Sequence, residues 1–150
     1  LRLDLVVNIF TRQALESKKI KVFNGDNMRA VLNIKDMVRF YELMLQAPKE
    51  SIHKKAFNVS DKSAKIRDLA LIVKKALGEN IEIVEEKNDD IRSYPVDSSK
   101  MKKELCFKCE HTIDEAVLSI KEAHEQGKII GGFDNSIYHN VKRMKEIDLK

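Results

Sequence analysis

The chain has 150 residues, enough for one domain with a buried core. Its formal charge of +4 comes from 28 basic and 24 acidic residues that are interspersed along the chain. Aromatic residues make up only 6% and tryptophan is absent, so the sequence lacks the basic stripe with stacking aromatics that is typical of nucleic-acid-binding proteins. No apolar run approaches the roughly 18 residues of a membrane span. We therefore expect a cytoplasmic globular protein that binds neither nucleic acid nor membrane.

The first half of the chain predicts two helices and three short strands. Apolar residues recur at helical spacing from Leu3 to Ala14, which predicts a helix over about the first 16 residues. Because this pattern is already under way at Leu3, we expect the chain to be a piece of a longer protein. Strands are predicted at 20–23, 31–34 and 56–59. Asp36 is expected to cap a second helix that Pro48 ends. The apolar face of that helix is formed by Met37, Val38, Tyr41, Met44 and Leu45.

The second half predicts helices around a fourth strand. Ser63 is expected to cap a helix that Gly78 ends, and Thr112 with Glu115 forms a capping box for another that ends near Gly127. The elements are expected at 66–77 (helix), 81–84 (strand), 94–96 (extended), 98–105 (helix) and 113–126 (helix). They predict a small mixed α/β domain over 1–129, followed by a Lys-rich tail over 130–150 whose loose spacing is compatible with a helix. The periodic βαβ run of a six-stranded Rossmann sheet is not found.

Cys106 and Cys109 form a lone C-x-x-C pair. A structural zinc site requires two more ligands at compatible spacing, and His111 is the one His nearby. A redox pair is expected to open a helix after a strand, which this segment does not predict. We therefore expect two reduced cysteines and no metal.

Four segments together carry a family resemblance. The first joins LDLVVN at 3–8 to QAL at 13–15, and the second joins IKVFNGD at 20–26 to MRAVLNIKD at 28–36. The third joins AFNV at 56–59 to DLA at 68–70. The fourth joins DIRSYPVDSSK at 90–100 to ELCF at 104–107. In this order and spacing they resemble the extended short-chain dehydrogenase/reductase family, whose members include NAD-dependent nucleotide-sugar epimerases and dehydratases.

The resemblance implies a site for a nucleotide-diphosphate sugar. Arginines at the motif positions of Arg29 and Arg92 contact the diphosphate in the family, and a guanidinium fork grips phosphate oxygens well. The strand with Val22 and Phe23 is expected to read the base through its backbone, and Asn8 matches a position near the nucleotide. The alternatives left open are that both arginines form surface salt bridges with Asp26 or Asp89, that Phe23 is a core residue, and that Asn8 is merely exposed.

The chain departs from the family pattern at four positions. Asn24, Ser60 and Cys106 stand where the family has glycine, and Asn33 stands where it has histidine. Because glycine tolerates positive φ and close backbone approach, these changes bear on local loop geometry. Neither arginine is affected.

The sequence contains no candidate for the dinucleotide site of the family. Its five glycines form no glycine-rich strand–turn–helix motif. Tyr138 and Lys142 have the Tyr-x-x-x-Lys spacing of a catalytic pair, but they follow the substrate-binding segments instead of preceding them. We therefore assign no catalytic residue, and expect NAD(P) to be held by a Rossmann half that precedes this chain.

The resemblance thus implies the substrate-binding portion of a sugar-nucleotide epimerase or dehydratase. The complete enzyme would be an isomerase or lyase of carbohydrate biosynthesis, and a homodimer. The chain alone is expected to be inactive and to hold no NAD(P). The alternative is a non-catalytic binding or protein-interaction module that kept the fold and lost the site. The base, the sugar and the reaction type stay open.

Overall fold

The computed structural model describes residues 1–149. The one residue of the predicted tail outside the described range is Lys150. In chain order the elements are α1 (Val6–Ser17), β1 (Lys19–Phe23), β2 (Met28–Val31), α2 (Ile34–Gln46), α3 (Lys49–Ile52), β3 (Lys62–Lys65), α4 (Ile66–Leu77), β4 (Glu82–Glu86), α5 (Ser99–Leu105), α6 (Ile113–Glu125), a 3-10 turn (Ser136–Tyr138) and α7 (Asn140–Glu146).

The four strands pair as two separate two-stranded sheets. β1 and β4 are parallel, with Lys19 opposite Glu82. β2 and β3 are antiparallel, with Arg29 opposite Ala64. A further bridge joins Arg29 to Tyr94, so the loop after β4 runs beside β2. Because parallel strands require a long crossover, the whole segment from β2 to α4 lies between the paired strands β1 and β4.

The main core lies between the β1–β4 pair and helices α1, α4 and α6. The buried residues of α4 recur at helical spacing, which gives the helix one apolar face. They are Ile66, Leu69, Ala70 and Val73. Ile20 and Val22 of β1 are fully buried against this face, and Phe10 and Val117 bring in α1 and α6. The predicted helices at 66–77 and 113–126 are confirmed within a residue at each end.

Two smaller clusters flank this core. One joins α2 to α5, where the Phe40 and Phe107 rings meet edge to face with centroids 5.3 Å apart over the buried Met101. The other holds the tail, because Phe133 and Tyr138 pack with Leu3 beside α6. The backbone N–H of Leu3 also donates to the carbonyl of Tyr138 at 2.8 Å. The tail is therefore packed against the start of α1.

The predicted helix cap at Asp36 is wrong. Asn33 is the N-cap of α2, and its side chain accepts from the N–H of Lys35. Asp36 lies in the first turn, fully buried, and accepts from the N–H groups of Glu110 and His111 and from Arg39. Burial raises the pKa of Asp36, but these donors outweigh it and the pKa lies below its ordinary value. The residue thus joins α2 to the loop before α6.

The predicted strand placement is wrong at two points. β2 lies at 28–31 rather than 31–34. Residues 56–59 form no strand, and β3 lies instead at 62–65. Ser63 is therefore a strand residue whose Oγ accepts from the N–H of Val96, not a helix cap. A strand is defined by its ladder, and within residues 1–149 no strand pairs with 56–59.

The apolar face predicted for α2 is largely exposed. The buried residues of helix α2 are Asp36 and Phe40, which lie outside the predicted face. Val38, Tyr41 and Leu45 of that face are 50–87% exposed. Ile34, which is 71% exposed, lies on the same helical stripe. We call the set Ile34, Val38, Tyr41 and Leu45 the α2 stripe. Among the helices described, none is long and apolar enough to cross a membrane.

Candidate functional site

A cavity of about 1060 Å³ lies at the end of β1. It is bounded by the start of α1, by β1 and β2, by the loop after β4 and by α6. This volume is at the upper end of the range for small-molecule sites. Of the five residues predicted for the site, the cavity brings together Asn8, Phe23, Arg29 and Arg92.

The fifth residue, Val22, lies outside the lining of this cavity. Its side chain is fully buried in the main core. Its backbone faces β4, because the carbonyl of Lys18 accepts from Glu82 and the N–H of Asn24 donates to Glu86, which sets the even-numbered residues of β1 toward that strand.

The free edge of β1 therefore belongs to Lys21 and Phe23. The N–H of Lys21 donates to Oε1 of Gln13 at 3.0 Å, which confirms that odd-numbered residues face away from β4. The Phe23 side chain is 38% exposed, so it is not a plain core residue. Lys21, Phe23 and Gln13 all line the cavity. Alternation along the strand could have identified Lys21 as a lining residue from the sequence.

Arg29 is held rigidly on β2. Its side chain is only 12% exposed, and Nη1 donates to the backbone carbonyls of Met28 and Arg92. Its guanidinium carbon lies 4.7 Å from the ring centre of Tyr94, within cation–π distance. Tyr94 also lines the cavity and was not among the predicted site residues, although it belongs to the fourth family-like segment.

Arg92 is a more exposed arm on the opposite loop. Its side chain is 73% exposed, and its contacts are with Asp90. Nε donates to Oδ1 and Nη2 to Oδ2, both at 2.7 Å. The alternative left open by the sequence was that both arginines form salt bridges with Asp26 or Asp89. In the structure both arginines pair with Asp90 instead. Asp26 pairs instead with Lys65.

The loop that carries Asp90 and Arg92 is fastened to the turn after β1. The Asn24 amide donates to the carbonyls of Asn88 and Asp90, both at 2.9 Å, and the Asn27 amide donates to Asp90 at 3.0 Å. Asn24 has φ of 50°, the left-handed conformation for which the family has glycine. Asparagine tolerates this conformation better than most residues and here adds side-chain hydrogen bonds.

Asn8 reaches the cavity from α1. Its Nδ2 donates to the carbonyl of Arg2 at 2.6 Å, which ties the helix to the segment before it. Asp4 and Leu5 line the same wall.

Tyr138 and Lys142 make separate contacts within the tail. Tyr138 is buried among the tail residues and its Oη accepts from the N–H of Ile130 at 2.9 Å. Lys142 donates to the carbonyl of Asp134. Neither belongs to the cavity lining. Both side chains therefore have a packing role in the tail.

The turn after β1 does not fit a dinucleotide. Gly25 follows β1, but the turn leads into β2 and not into a helix whose N-terminus could bind a pyrophosphate. A Cβ on Gly25 would meet Arg67 and Glu85 at 3.1 Å, so the space beside it is already filled by this ion pair. No step that uses NAD(P) is assigned to these residues.

The two cysteines are free. Burial raises the pKa of the Cys109 thiol, which disfavours the thiolate that a redox pair requires. Cys106 is exposed at the end of α5. Across residues 1–149 no group of three or more His, Cys, Asp or Glu side chains is placed to hold a metal ion.

Comparison with known proteins supports the family. Residues 3–60 match the model of the NAD dependent epimerase/dehydratase family. No curated protein matches the sequence.

Solved structures extend the likeness to the fold. They include L-threonine dehydrogenase from Clostridium difficile (22% identity, TM-score 0.69, covering 83% of this chain and 41% of that one). dTDP-glucose 4,6-dehydratase from Bacillus anthracis gives 19% identity and a TM-score of 0.65, covering 83% of this chain and 41% of that one. UDP-glucose 4-epimerase from Thermotoga maritima, solved with UDP-glucose, gives 22% identity and a TM-score of 0.63, covering 82% of this chain and 40% of that one.

This chain therefore spans about two fifths of the length of the structures that it matches. At these identities the likeness shows the fold. The resemblance to the extended short-chain dehydrogenase/reductase family agrees with the match over residues 3–60, which is less than half of the chain, and the structures confirm the small mixed α/β fold.

Proposed function

We propose that this chain is the nucleotide-sugar-binding portion of an NAD(P)-dependent sugar-nucleotide epimerase or dehydratase. The observation that carries the proposal is that one cavity gathers Arg29 from β2 and Arg92 from the loop after β4 with Asn8 and the free edge of β1. A sugar nucleotide needs cationic forks for its diphosphate and a flat, partly apolar surface for its base.

The two arginines have different tasks in this proposal. Arg29 is 12% exposed and held by two carbonyls and a ring, so it is the preorganised half of the clamp. Arg92 is 73% exposed, so it is the half that moves to the ligand. The pair can approach a diphosphate from two sides because one lies on β2 and the other on the loop after β4.

The base lies along the free edge of β1 in this proposal. The backbone N–H and C=O of Phe23 are directed away from β4, and its exposed ring offers a stacking surface. The N–H of Lys21 is already bonded to Gln13, which would have to release it for base recognition. Val22 contributes only packing beneath this edge.

The partner in the proposal is a preceding dinucleotide-binding half. Two features support it. The α2 stripe is an apolar surface that no residue in 1–149 covers. The segment 56–59 lies next to the same helix, since the Phe57 and Phe40 rings are 6.5 Å apart, yet it pairs with no strand within residues 1–149. A helix beside a segment that has no strand partner fits the edge of a parallel sheet with covering helices.

Calorimetric titration of the chain with UDP, dTDP, GDP and CDP tests the proposal. We expect one of the four to bind at least in the millimolar range, because half of the cleft is missing. Arg92→Glu should abolish that binding. Lys145→Glu, an equal charge reversal on exposed α7, should leave it unchanged. Binding that both variants lose equally would indicate unspecific attraction to a basic protein.

The second candidate is a module that kept the fold without the nucleotide site. It is favoured by one observation, the pairing of both arginines with Asp90. The fold itself does not choose, because L-threonine dehydrogenases are among the similar structures and their names indicate an amino acid as substrate. No binding of any nucleoside diphosphate by a folded chain would favour this candidate.

Absence of catalysis by the chain alone stays a prediction. The purified chain should neither retain NAD nor convert a nucleotide sugar. Epimerisation of UDP-glucose by the purified chain would contradict it.

A further inference from the structure

A carboxylate already occupies the space between the two arginines of the cavity. Asp90 binds Arg92 through both oxygens at 2.7 Å, and Oδ2 lies 3.6 Å from Nη2 of Arg29. The Arg92 side chain, followed by the Arg92 N–H, holds the pKa of Asp90 far below its ordinary range, so Asp90 is charged at every working pH. The geometry is the bidentate fork that a phosphate would otherwise use.

The backbone around Asp90 is fixed, which keeps its carboxylate at this position. Its carbonyl accepts from Asn24 and Asn27, and its N–H donates to Oδ1 of Asn88 at 3.0 Å. The adjacent Asp89 is exposed and does not line the cavity. Asp90 is thus the one of the two neighbouring carboxylates with an intramolecular role.

We propose that Asp90 is a tethered counter-anion that holds the two arginines in the free protein and competes with the phosphates of an incoming ligand. Arg92 must exchange the Asp90 carboxylate for a ligand phosphate, and Arg29 must accept the ligand beside it. Asp90 therefore sets the affinity threshold of the cavity. The inference rests on the proposed function, since it concerns the same anion site.

The alternative role for Asp90 is to assist ligand binding. If Asp90 merely oriented Arg92 for the ligand, its removal would weaken binding, because a freely rotating arginine loses more conformational entropy when it binds. The two roles predict opposite signs for the same substitution.

The test measures the Kd of inorganic pyrophosphate and of UDP by calorimetry for three folded chains. They are the wild type, Asp90→Asn, and Asp89→Asn as the matched control with the same charge change. Because an exposed ion pair is a weak competitor for a phosphate, we expect Asp90→Asn to bind roughly three- to fivefold more tightly. Asp89→Asn should remain within about twofold of the wild type, because that carboxylate is exposed and screened by solvent.

Weaker binding by Asp90→Asn, or a gain equal to that of Asp89→Asn, overturns the inference while leaving the proposed function intact. Absence of binding in all three proteins overturns the proposed function and the inference with it. If Asp90→Asn does not give a cooperative thermal transition, Asp90→Ser replaces it.

A double-substitution cycle adds a second criterion. In the Arg92→Gln background the gain from Asp90→Asn should shrink, because the arginine for which the carboxylate competes is gone. An undiminished gain would mean that Asp90 acts by general charge rather than through Arg92.

Discussion

Arg29 and Tyr94 contact each other through both their side chains and their backbones. The guanidinium carbon lies 4.7 Å from the ring centre, and the two residues form a parallel bridge in the backbone. The N–H of Tyr94 also donates to the carbonyl of Met28 at 3.2 Å. These contacts hold the buried arginine and the loop with Arg92 in one frame, so the separation of the two cations depends on Tyr94.

Replacing Tyr94 by leucine is expected to weaken nucleoside-diphosphate binding. A cation–π contact at a partly exposed site contributes about 0.5–1 kcal/mol, which corresponds to a roughly two- to fivefold rise in Kd. Tyr94→Phe keeps the ring and should bind as the wild type does. Calorimetric titration with UDP measures both. Equal losses in the two variants would assign the effect to the hydroxyl and not to the ring.

Replacing Asp36 by asparagine is expected to destabilise the fold without altering the cavity. The fully buried carboxylate accepts from two N–H groups of the 110–111 loop and from Arg39. Asparagine cannot satisfy all of these donors, so we expect a loss of about 2–3 kcal/mol in the free energy of unfolding. Urea denaturation measures it. Glu42→Gln, on the exposed side of the same helix, should change stability little.

The contribution of the Asp36 carboxylate should also appear in the pH dependence of stability. The pKa of Asp36 is lowered in the folded state, so its contribution is complete above the ordinary carboxyl pKa of about 4 and is lost as pH falls through the lower folded value. The stability gap between wild type and Asp36→Asn should therefore be constant near neutral pH and narrow below about pH 4. A gap that widens in acid would contradict the direction of this pKa shift.

The elements predicted correctly are those with local stop and start signals. α6 begins at its Thr112 cap, whose Oγ1 accepts from the N–H of Glu115, and α4 ends before Gly78. The strand at 56–59 failed because pairing depends on a partner elsewhere in the chain or outside it. The predicted burial of the apolar face of α2 was wrong for the same reason. Its sequence period shows an apolar stripe, but Phe40 rather than that stripe meets Phe107.

The two arginines that line the cavity could be named from the sequence, whereas the carboxylate between them could not. Arg29 and Arg92 belong to motif segments, so the family resemblance could assign them before any coordinates. The pairing with Asp90 depends on a turn in which the N–H of Arg92 donates to the side chain of Asp90. It also depends on Asn24, 66 residues away in the sequence, which donates to the Asp90 carbonyl and fixes that turn. Such a contact between loops has no period or spacing along the sequence.

Replacing Tyr138 by phenylalanine tests whether the Tyr-x-x-x-Lys spacing in the tail is structural. The hydroxyl accepts from the N–H of Ile130, so its loss leaves one backbone donor without its partner and should cost about 1 kcal/mol. Chemical denaturation measures this change. Nucleoside-diphosphate affinity should not change, because Tyr138 lies outside the cavity lining. Altered affinity at unchanged stability would contradict the purely structural role of Tyr138.

Replacing Cys106 by glycine is expected to stabilise the protein. Cys106 ends α5 with φ of 53°, the left-handed conformation for which the family has glycine, and its side chain is exposed. A residue with a Cβ pays about 1–2 kcal/mol there, and the extra chain entropy of unfolded glycine returns part of this, so a net gain of roughly 0.5–1 kcal/mol is expected. Thermal or urea denaturation under reducing conditions measures it.

The matched control for that gain is Cys106→Ala. Alanine removes the thiol but keeps the Cβ, so its stability should equal that of the wild type. Because the two variants differ only in the atom that causes the strain, the difference between them isolates the backbone conformation. An equal gain in both would assign the effect to loss of the thiol, and the left-handed conformation of residue 106 would then carry no measurable strain.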